Sequence, residues 1–359
     1  MTRREFRHAL IIGKFYPLHA GHLNLVRAAL ARSDRVTVEV LTTSAELVPG
    51  EVRAGWIRSE LPQAHVVTGL DDAPVDYDSE PAWREHLTVI RALLDAPVDA
   101  VFTSDAYGAE LARRLGAAWV QVDPGRTLAA VSGTQVRADP AGYWWALPRA
   151  VRAWFTLRVV VVGAESTGTT TLAAALADRF GTTWVPEFGR EWTDVRPGGP
   201  TAPWHSGEFD LIAREQARAE DAAAERVPVP LLVCDTDAVT TALFHERYLG
   251  AASASVHGLA ASRVPDLYLL TGDEIPFVPD GQRDGEHIRH AMAERFREVL
   301  AQQPAPWVEV RGSRAERLAE AATQVTALLA RGHGLAGPRA ARRADGPAAP
   351  AANGGMLSR

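Results

Sequence analysis

Two segments of the chain share one pattern: a short unbroken run of apolar residues, a polar turn containing glycine, and then apolar residues at helical spacing. The first is Ala9-Leu10-Ile11-Ile12, followed by Gly13 to Gly21 and a helical stretch from His22 to Arg32. The second is Val159-Val160-Val161-Val162, followed by Gly163 to Gly168 and a helical stretch from Thr170 to Phe180. Apolar runs without polar alternation predict strands buried on both faces, as in a parallel sheet. Each segment therefore opens an α/β domain, and openings about 150 residues apart predict two of them.

The alternation continues in the first half. Val36, Val38 and Val40 mark a strand, Val52 to Leu61 a helix, and His65 to Thr68 a further strand. A helix is expected from Glu80 to Leu94, then strands at Ala100 to Phe102 and Trp119 to Val122 around a helix at Ala109 to Leu115. In the second half, strands are expected at Trp184-Val185, Leu231 to Cys234, Leu267 to Leu270 and Trp307 to Val310. A last helix carries Leu318, Ala322, Val325 and Leu329 on one face. Pro140, Pro148 and the Trp144-Trp145 pair, which reads as interdomain packing, place the boundary near Arg152. The expected divisions are residues 1–151, 152–331 and a tail, 332–359, of Ala, Gly, Pro and Arg. That tail has almost nothing large to bury and is expected to be disordered.

Composition narrows the function without choosing it. With Lys+Arg 38 against Asp+Glu 44 the net charge is −6, which argues against a protein built to grip nucleic-acid phosphates. Cys234 is the sole cysteine, so neither a disulfide nor a cysteine-rich zinc module is available. The apolar run near the N-terminus is too short for a signal peptide, and no stretch approaches the ~20 residues of a membrane helix. A cytoplasmic protein with no membrane partner is expected.

The first polar turn reads Gly13-Lys14-Phe15-Tyr16-Pro17-Leu18-His19-Ala20-Gly21-His22. Histidines spaced i, i+3 across a glycine at a helix start can both point at one ligand. The helix N-terminus adds free N–H groups and the positive end of its dipole, a combination suited to a triphosphate. The plainer alternative makes His19 and His22 turn and cap residues. The full pattern, G-x-F-x-P-x-H-x-G-H, resembles the hallmark loop of the nucleotidylyltransferase superfamily. That superfamily's second phosphate motif, S/T-x-T-x-x-R, is matched by Ser132-Gly133-Thr134-Gln135-Val136-Arg137. The resemblance implies a Rossmann-like domain whose ATP contacts are Gly13, Lys14, Phe15, His19, His22, Asp105, Ser132, Thr134 and Arg137. His19 and His22 would stabilise charge on the α-phosphate and on the departing pyrophosphate, with Lys14 and Arg137 holding the β- and γ-phosphates. Trp83 is the first choice for stacking on a nicotinamide ring, ahead of Trp56 and Trp119. Trp192 and Trp204 are the candidates in the second domain.

The second turn, Gly163-Ala164-Glu165-Ser166-Thr167-Gly168-Thr169-Thr170-Thr171, meets the phosphate-loop frame G-x-x-x-x-G-K-[ST] except that Thr169 stands at the lysine position. Its backbone N–H groups suit phosphates and the Thr170 hydroxyl suits Mg²⁺. Leu231 to Asp237 reads as an apolar strand ending in two acids. Asp235 is then a metal ligand beside Thr170, or alternatively the cap of the next helix. Glu187, Arg190, Asp235 and Asp237 are candidates for the acceptor site, with the general base open among Glu187, Asp235 and Asp237. Arg283, in a lid-like loop from Asp280 to Gly285, is the candidate for stabilising transferred charge, and a hydroxyl donor with Arg283 or Arg289 is expected to compensate for the missing lysine, leaving a kinase of reduced or lid-dependent activity.

The order of these parts resembles the NadR-type bifunctional enzymes, which join a nicotinamide-mononucleotide adenylyltransferase to a P-loop ribosylnicotinamide kinase. Further matches are Val122-Asp123-Pro124-Gly125-Arg126, Pro148-Arg149-Ala150-Val151-Arg152, Thr240-Thr241 and Tyr248-Leu249-Gly250. The resemblance implies ATP as co-substrate, Mg²⁺ as cofactor, and ribosylnicotinamide, nicotinamide mononucleotide and NAD as ligands. Some members carry an N-terminal helix-turn-helix repressor domain. Here the first strand begins within ten residues, so DNA binding is not expected. Two other readings stay open: adenylyl transfer alone, with the lysine-less domain as a nucleotide sensor, and a regulatory nucleotide-binding protein without turnover. Oligomeric state is not set, and a homo-oligomer is compatible with the sequence.

Overall fold

The computed structural model describes residues 4–277 and 286–331. Arg283, its loop and the tail 332–359 lie outside the described residues. The chain divides into two units, Met1–Thr156 with Ala224–Pro230, and Leu157–Ala223 with Leu231–Gly332.

The first unit contains β1 (Phe6–Gly13), α1 (Ala20–Arg32), β2 (Ser33–Thr42), α2 (Gly50–Glu60), β3 (His65–Leu70), α3 (Glu80–Leu93), β4 (Ala100–Thr103), α4 (Tyr107–Leu115), β5 (Ala118–Gln121), α5 (Gly133–Ala138) and α6 (Arg149–Phe155). Its five strands are all parallel in the order β3-β2-β1-β4-β5. The chain leaves β1 first toward β2 and then toward β4. The order therefore reverses between β1 and β4, and ligands bind beyond the carboxyl ends of strands at such a point. The unit ends a few residues later than the proline pattern suggests because α6 packs against it. Val151 and Phe155 are buried, and Trp56 of α2 lies 6.2 Å from the rings of both Trp154 and Phe155. The Trp144-Trp145 pair splits. Trp144 is buried and donates to the Val227 carbonyl (2.9 Å), whereas Trp145 is 60% exposed and does not pack as expected.

One core position breaks the pattern. Glu39, in the middle of β2 between Ile12 and Val67, is 0% exposed, and neither carboxylate oxygen has a hydrogen-bond partner among the described residues. Burial raises its pKa from the ordinary 4.5 to about 8. Above pH 4.5 the unfolded chain releases this proton while the folded chain keeps it. Stability therefore falls as pH rises, by about 1.4 kcal/mol per unit until pH 8. Urea unfolding at pH 5 and 7 should differ by roughly 2–3 kcal/mol in the native chain. Glu39→Met should remove most of that difference and raise stability at pH 7. An unchanged pH slope would show that another group titrates.

The second unit contains β6 (Leu157–Val162), α7 (Thr169–Phe180), β7 (Thr183–Val185), α8 (Phe188–Val195), α9 (Ser206–Ala224), β8 (Leu231–Asp235), α10 (Ala238–Leu249), α11 (Ala254–Ser262), β9 (Leu267–Thr271), α12 (Arg289–Leu300), β10 (Trp307–Val310) and α13 (Arg314–Ala330). The parallel order β10-β9-β6-β8-β7 places its reversal around β6, whose neighbours are β8 and β9. The stripe expected on α13 is rotated. Arg317, Ala321, Ala322, Val325 and Leu328 are buried, while Leu318 and Leu329 are half-buried, because an arginine takes a core position. Among the described residues no helix is long and apolar enough to cross a membrane.

Candidate active sites

In the first unit the loop after β1 and the start of α5 meet at the strand-order reversal. Arg137 donates from Nη1 to the Tyr16 carbonyl (2.7 Å) and from Nη2 to Thr134 Oγ1 (3.1 Å). Ser132 caps α5, its hydroxyl accepting from the Gln135 N–H. The two motifs, over a hundred residues apart in sequence, thereby line one cavity of about 560 Å³ with Gly13, Lys14, Phe15, His19, His22, Trp83 and Asp105. The histidine rings stack, with centroids 3.7 Å apart and planes 24° apart. Both Nδ1 atoms are buried without a hydrogen-bond partner among the described residues. Burial, with Arg126 adding to it, lowers His19 to about 4, and burial with His19 and Arg126 holds His22 well below its usual range. Both rings are therefore neutral near pH 7 in the ligand-free protein.

Several placements differ from expectation. Lys14 Nζ lies 2.9 Å from Glu46 Oε1, and the same carboxylate holds Arg53, so the lysine's charge is already engaged. Trp83 lines the cavity but is 4% exposed. Its Nε1 donates to the Tyr77 carbonyl and the Arg114 guanidinium lies 5.0 Å from its ring. Trp56 serves packing, and Trp119 donates to Thr103 Oγ1 outside this cavity. The cation that sequence reasoning left without a role is Arg126. It lines the cavity at a left-handed φ of 52°, uncommon for a residue other than glycine. The signal available was its place in the Asp-Pro-Gly-Arg turn just before Ser132. Tyr77 and Tyr107, parallel at 5.7 Å, and His86, whose Nδ1 donates to Asp71 Oδ2 at 2.7 Å, complete the wall.

In the second unit the turn after β6 forms the floor of a cavity of about 1020 Å³, lined from Gly163 through Thr171 and by Glu187 and Arg190. Gly163 is needed for close packing, since a Cβ there would sit 2.2 Å from Thr271 Oγ1. Gly168 adopts φ +87°, which side chains disfavour. Thr170 donates from Oγ1 to Asp235 Oδ2 at 2.6 Å, joining the two residues expected to meet at a metal. Glu187 immediately precedes α8, with Arg190 Nη2 3.9 Å from its carboxylate.

Asp237 is a correction. Neither it nor Asp235 lines this cavity, but whereas Asp235 meets Thr170 of the loop, the Asp237 carboxylate is spent on structure: Oδ1 accepts from the Val239 and Thr240 N–H groups, capping α10, and Oδ2 accepts from the Tyr268 hydroxyl (2.6 Å). The helix cap weighed for Asp235 is thus made by its neighbour but one. Trp192 is also turned away, donating to Glu208, whereas Trp204 lines the cavity with Arg196 3.7 Å from its ring. Phe209 and Tyr248 extend that aromatic wall, at 5.1 and 5.4 Å from Trp204.

A profile of the AAA domain family matches residues 158–317. The trifunctional NAD biosynthesis/regulator protein NadR of Escherichia coli (strain K12) is 29% identical over 303 residues, covering 78% of this chain and 72% of that protein. Its counterpart in Salmonella typhimurium is 28% identical over 332 residues, covering 86% and 80%. Among solved structures, a NadR protein in complex with NR matches with a TM-score of 0.69 at 20% identity, covering 92% of this chain and 97% of that one. A NadR protein in complex with NAD and AMP-PNP matches with a TM-score of 0.67 at 21% identity, covering 90% and 96%. Over 78–86% of its length the chain is similar in sequence to the NadR proteins, at 28–29% identity, and it shares the α/β fold of the solved NadR structures.

Proposed function

We propose that this chain is a two-site enzyme of NAD synthesis. Its first unit would transfer AMP from ATP to nicotinamide mononucleotide, and its second would phosphorylate ribosylnicotinamide with ATP. The observation that carries the first half is the stacked, neutral His19–His22 pair in a cavity that also holds Arg126 and Arg137. A phosphate oxygen of the mononucleotide attacks the α-phosphorus, the bond from that phosphorus to the bridging oxygen breaks, and pyrophosphate leaves. No protein nucleophile is needed. The work is positioning and charge stabilisation by the histidines, the two arginines and the N–H groups opening α1.

In the second unit the 5′-hydroxyl of ribosylnicotinamide attacks the γ-phosphorus, the bond to the bridging oxygen breaks, and ADP departs. Glu187 or Asp235 takes the hydroxyl proton, and the wall of Trp204, Phe209 and Tyr248 suits a nicotinamide ring. Asp237 has no part in this step. Thr170 and Asp235 fit Mg²⁺. They offer a hydroxyl and a carboxylate oxygen at one point, which suits an ion whose remaining ligands would be substrate phosphates and water. The ion would neutralise charge on the β- and γ-phosphate oxygens. No nucleic-acid partner is assigned to either unit.

Product analysis with ATP·Mg and, separately, ribosylnicotinamide, nicotinamide mononucleotide and nicotinate mononucleotide tests the proposal and ranks the amidated against the deamidated acceptor. Mononucleotide with ADP, and NAD with pyrophosphate, are the expected products. The absence of lysine at Thr169 favours a second reading of the second unit, as a nucleotide sensor. Adenylyl transfer without ribosylnicotinamide phosphorylation would establish that reading instead.

A further inference from the structure

Three successive residues of the turn between β6 and α7 are each held by an arginine from a different helix. Arg247 of α10 pairs with the Glu165 carboxylate. Arg289, the first residue of α12, donates from Nη2 to the Ser166 carbonyl (3.3 Å) and from Nη1 to the Ile275 carbonyl (2.6 Å). Arg317 of α13 donates from Nη1 to the Thr167 carbonyl (2.7 Å). It is anchored further by the Gly312 and Gly272 carbonyls and by Glu274. Arg289 and Arg317 are only 8% and 4% exposed. Guanidinium groups are costly to bury, and an apolar residue at position 317 would serve the buried stripe of α13 without that cost. The cost is incurred at the turn where threonine stands at the lysine position of the phosphate-binding frame.

We propose that Arg289 supplies to this loop the positive charge that lysine would otherwise bring to the nucleotide phosphates in this cavity, with Arg317, its charge offset by Glu274, fixing the loop beside it. Resting on the assignment of this cavity to ATP, the proposal explains how it functions with Thr169. The Thr167 carbonyl, held by Arg317, belongs to the same peptide plane as the Gly168 N–H, whereas the Thr167 N–H beyond the Ser166 carbonyl is already spent on the Ala164 carbonyl (3.3 Å), so Arg289 acts through the field of its charge. A charged donor on the carbonyl polarises the N–H on the far side of the plane, and hydrogen bonds in series strengthen one another. Arg317 also lines the cavity, and both guanidinium groups are buried, with little water to screen them. The two arginines are positioning residues: they act through the loop, without touching the reacting atoms.

The test uses the full chain and the phosphorylation of ribosylnicotinamide, varying ATP·Mg. Arg289→Gln is expected to raise KM for ATP about tenfold or more while KM for ribosylnicotinamide stays near the wild-type value. Adding Thr169→Lys to Arg289→Gln is expected to bring KM for ATP back to within about threefold of the wild type, because the restored charge acts from the front of the loop. Thr169→Lys alone completes the cycle: it should lower KM for ATP less in the wild-type background than with Arg289→Gln, whereas a purely architectural arginine gives equal changes in both and overturns the proposal. An unchanged KM in Arg289→Gln, or a loss that Thr169→Lys leaves uncorrected in a protein melting at the wild-type temperature, overturns the proposal. Should Arg289→Gln fail to fold, Arg289→Lys decides: retained charge predicts KM within about threefold, and a tenfold rise overturns it. A wild-type chain that does not phosphorylate ribosylnicotinamide refutes the kinase assignment itself, an outcome distinct from any failure of the variants.

Discussion

Replacing His22 by alanine is expected to lower adenylyl transfer about a thousandfold and to leave ribosylnicotinamide phosphorylation unchanged. The reasoning starts from the state of the ring. His22 is packed 3.7 Å from His19 and 5.0 Å from Phe15, with a buried Nδ1 that has no partner among the described residues. A buried polar nitrogen without a partner is destabilising, and the ring that carries it lines the cavity the triphosphate is expected to enter. Such a donor stabilises the reaction most where charge develops, and removing one of this kind typically costs 10²–10³ in rate. The same geometry fixes a proton signature. Burial lowers His19 to about 4 and holds His22 well below its usual range, so both are neutral near pH 7 without ligand. Bound polyphosphate favours the charged form and raises both values, so nucleotide binding near pH 6 should take up protons. Calorimetry in buffers of different ionisation enthalpy reads that uptake, and His22→Ala should reduce it. Equal uptake in both proteins, or wild-type adenylyl transfer by the variant, would remove the histidines from the reaction.

That the His19–His22 loop was legible in sequence, and Arg126 much less so, has a physical basis. Gly13, His19, Gly21 and His22 lie within one turn, where spacing alone decides what can point together. The apolar runs at Leu10 and Val160 likewise announce strands because a strand buried on both faces tolerates little else. Arg126 reaches the same cavity only because the chain turns left-handed at that residue, and no periodicity encodes such a turn. The helix α9 was hidden for a related reason. Its buried face includes Gln216 and Glu220 beside Phe209, Ile212 and Ala213, so polar residues occupy positions that usually reveal amphipathicity. Arg317 disguises the register of α13 in the same way. Asp235 and Asp237 show the limit most directly. Two acids end one strand, and local sequence does not say which meets the phosphate-binding turn. Thr236, at φ 69°, turns the chain between them, sending one carboxylate to Thr170 and the other to the N–H groups of α10 and to Tyr268.

Those two acids should therefore separate cleanly by mutation. Asp235→Asn is expected to lower kcat for ribosylnicotinamide phosphorylation by about 10²–10³ with little change in melting temperature. The amide keeps the shape, and its oxygen still accepts from Thr170, but the negative charge that would help hold the nucleotide's metal is lost. Asp237→Ala should do the reverse. It removes the cap of α10, worth about 1 kcal/mol, and leaves the buried Tyr268 hydroxyl without its acceptor, worth about 1–3 kcal/mol more. For a unit of this size a loss of roughly 2–4 kcal/mol lowers the melting temperature by several degrees. Any change in kcat at temperatures where the variant is folded should stay within a few-fold. The two effects fall on different measurements because Thr170 is bound to one acid and Tyr268 to the other. If Asp237→Ala abolished turnover in a protein still folded at the assay temperature, the general base would have to be sought at Asp237. The carboxylate would then have to leave its cap during the reaction, and calorimetry would show a second, ligand-dependent gain in stability that the capped structure does not predict. Matching losses of kcat in both variants, without loss of melting temperature in either, would place both acids on the reaction side of the strand end.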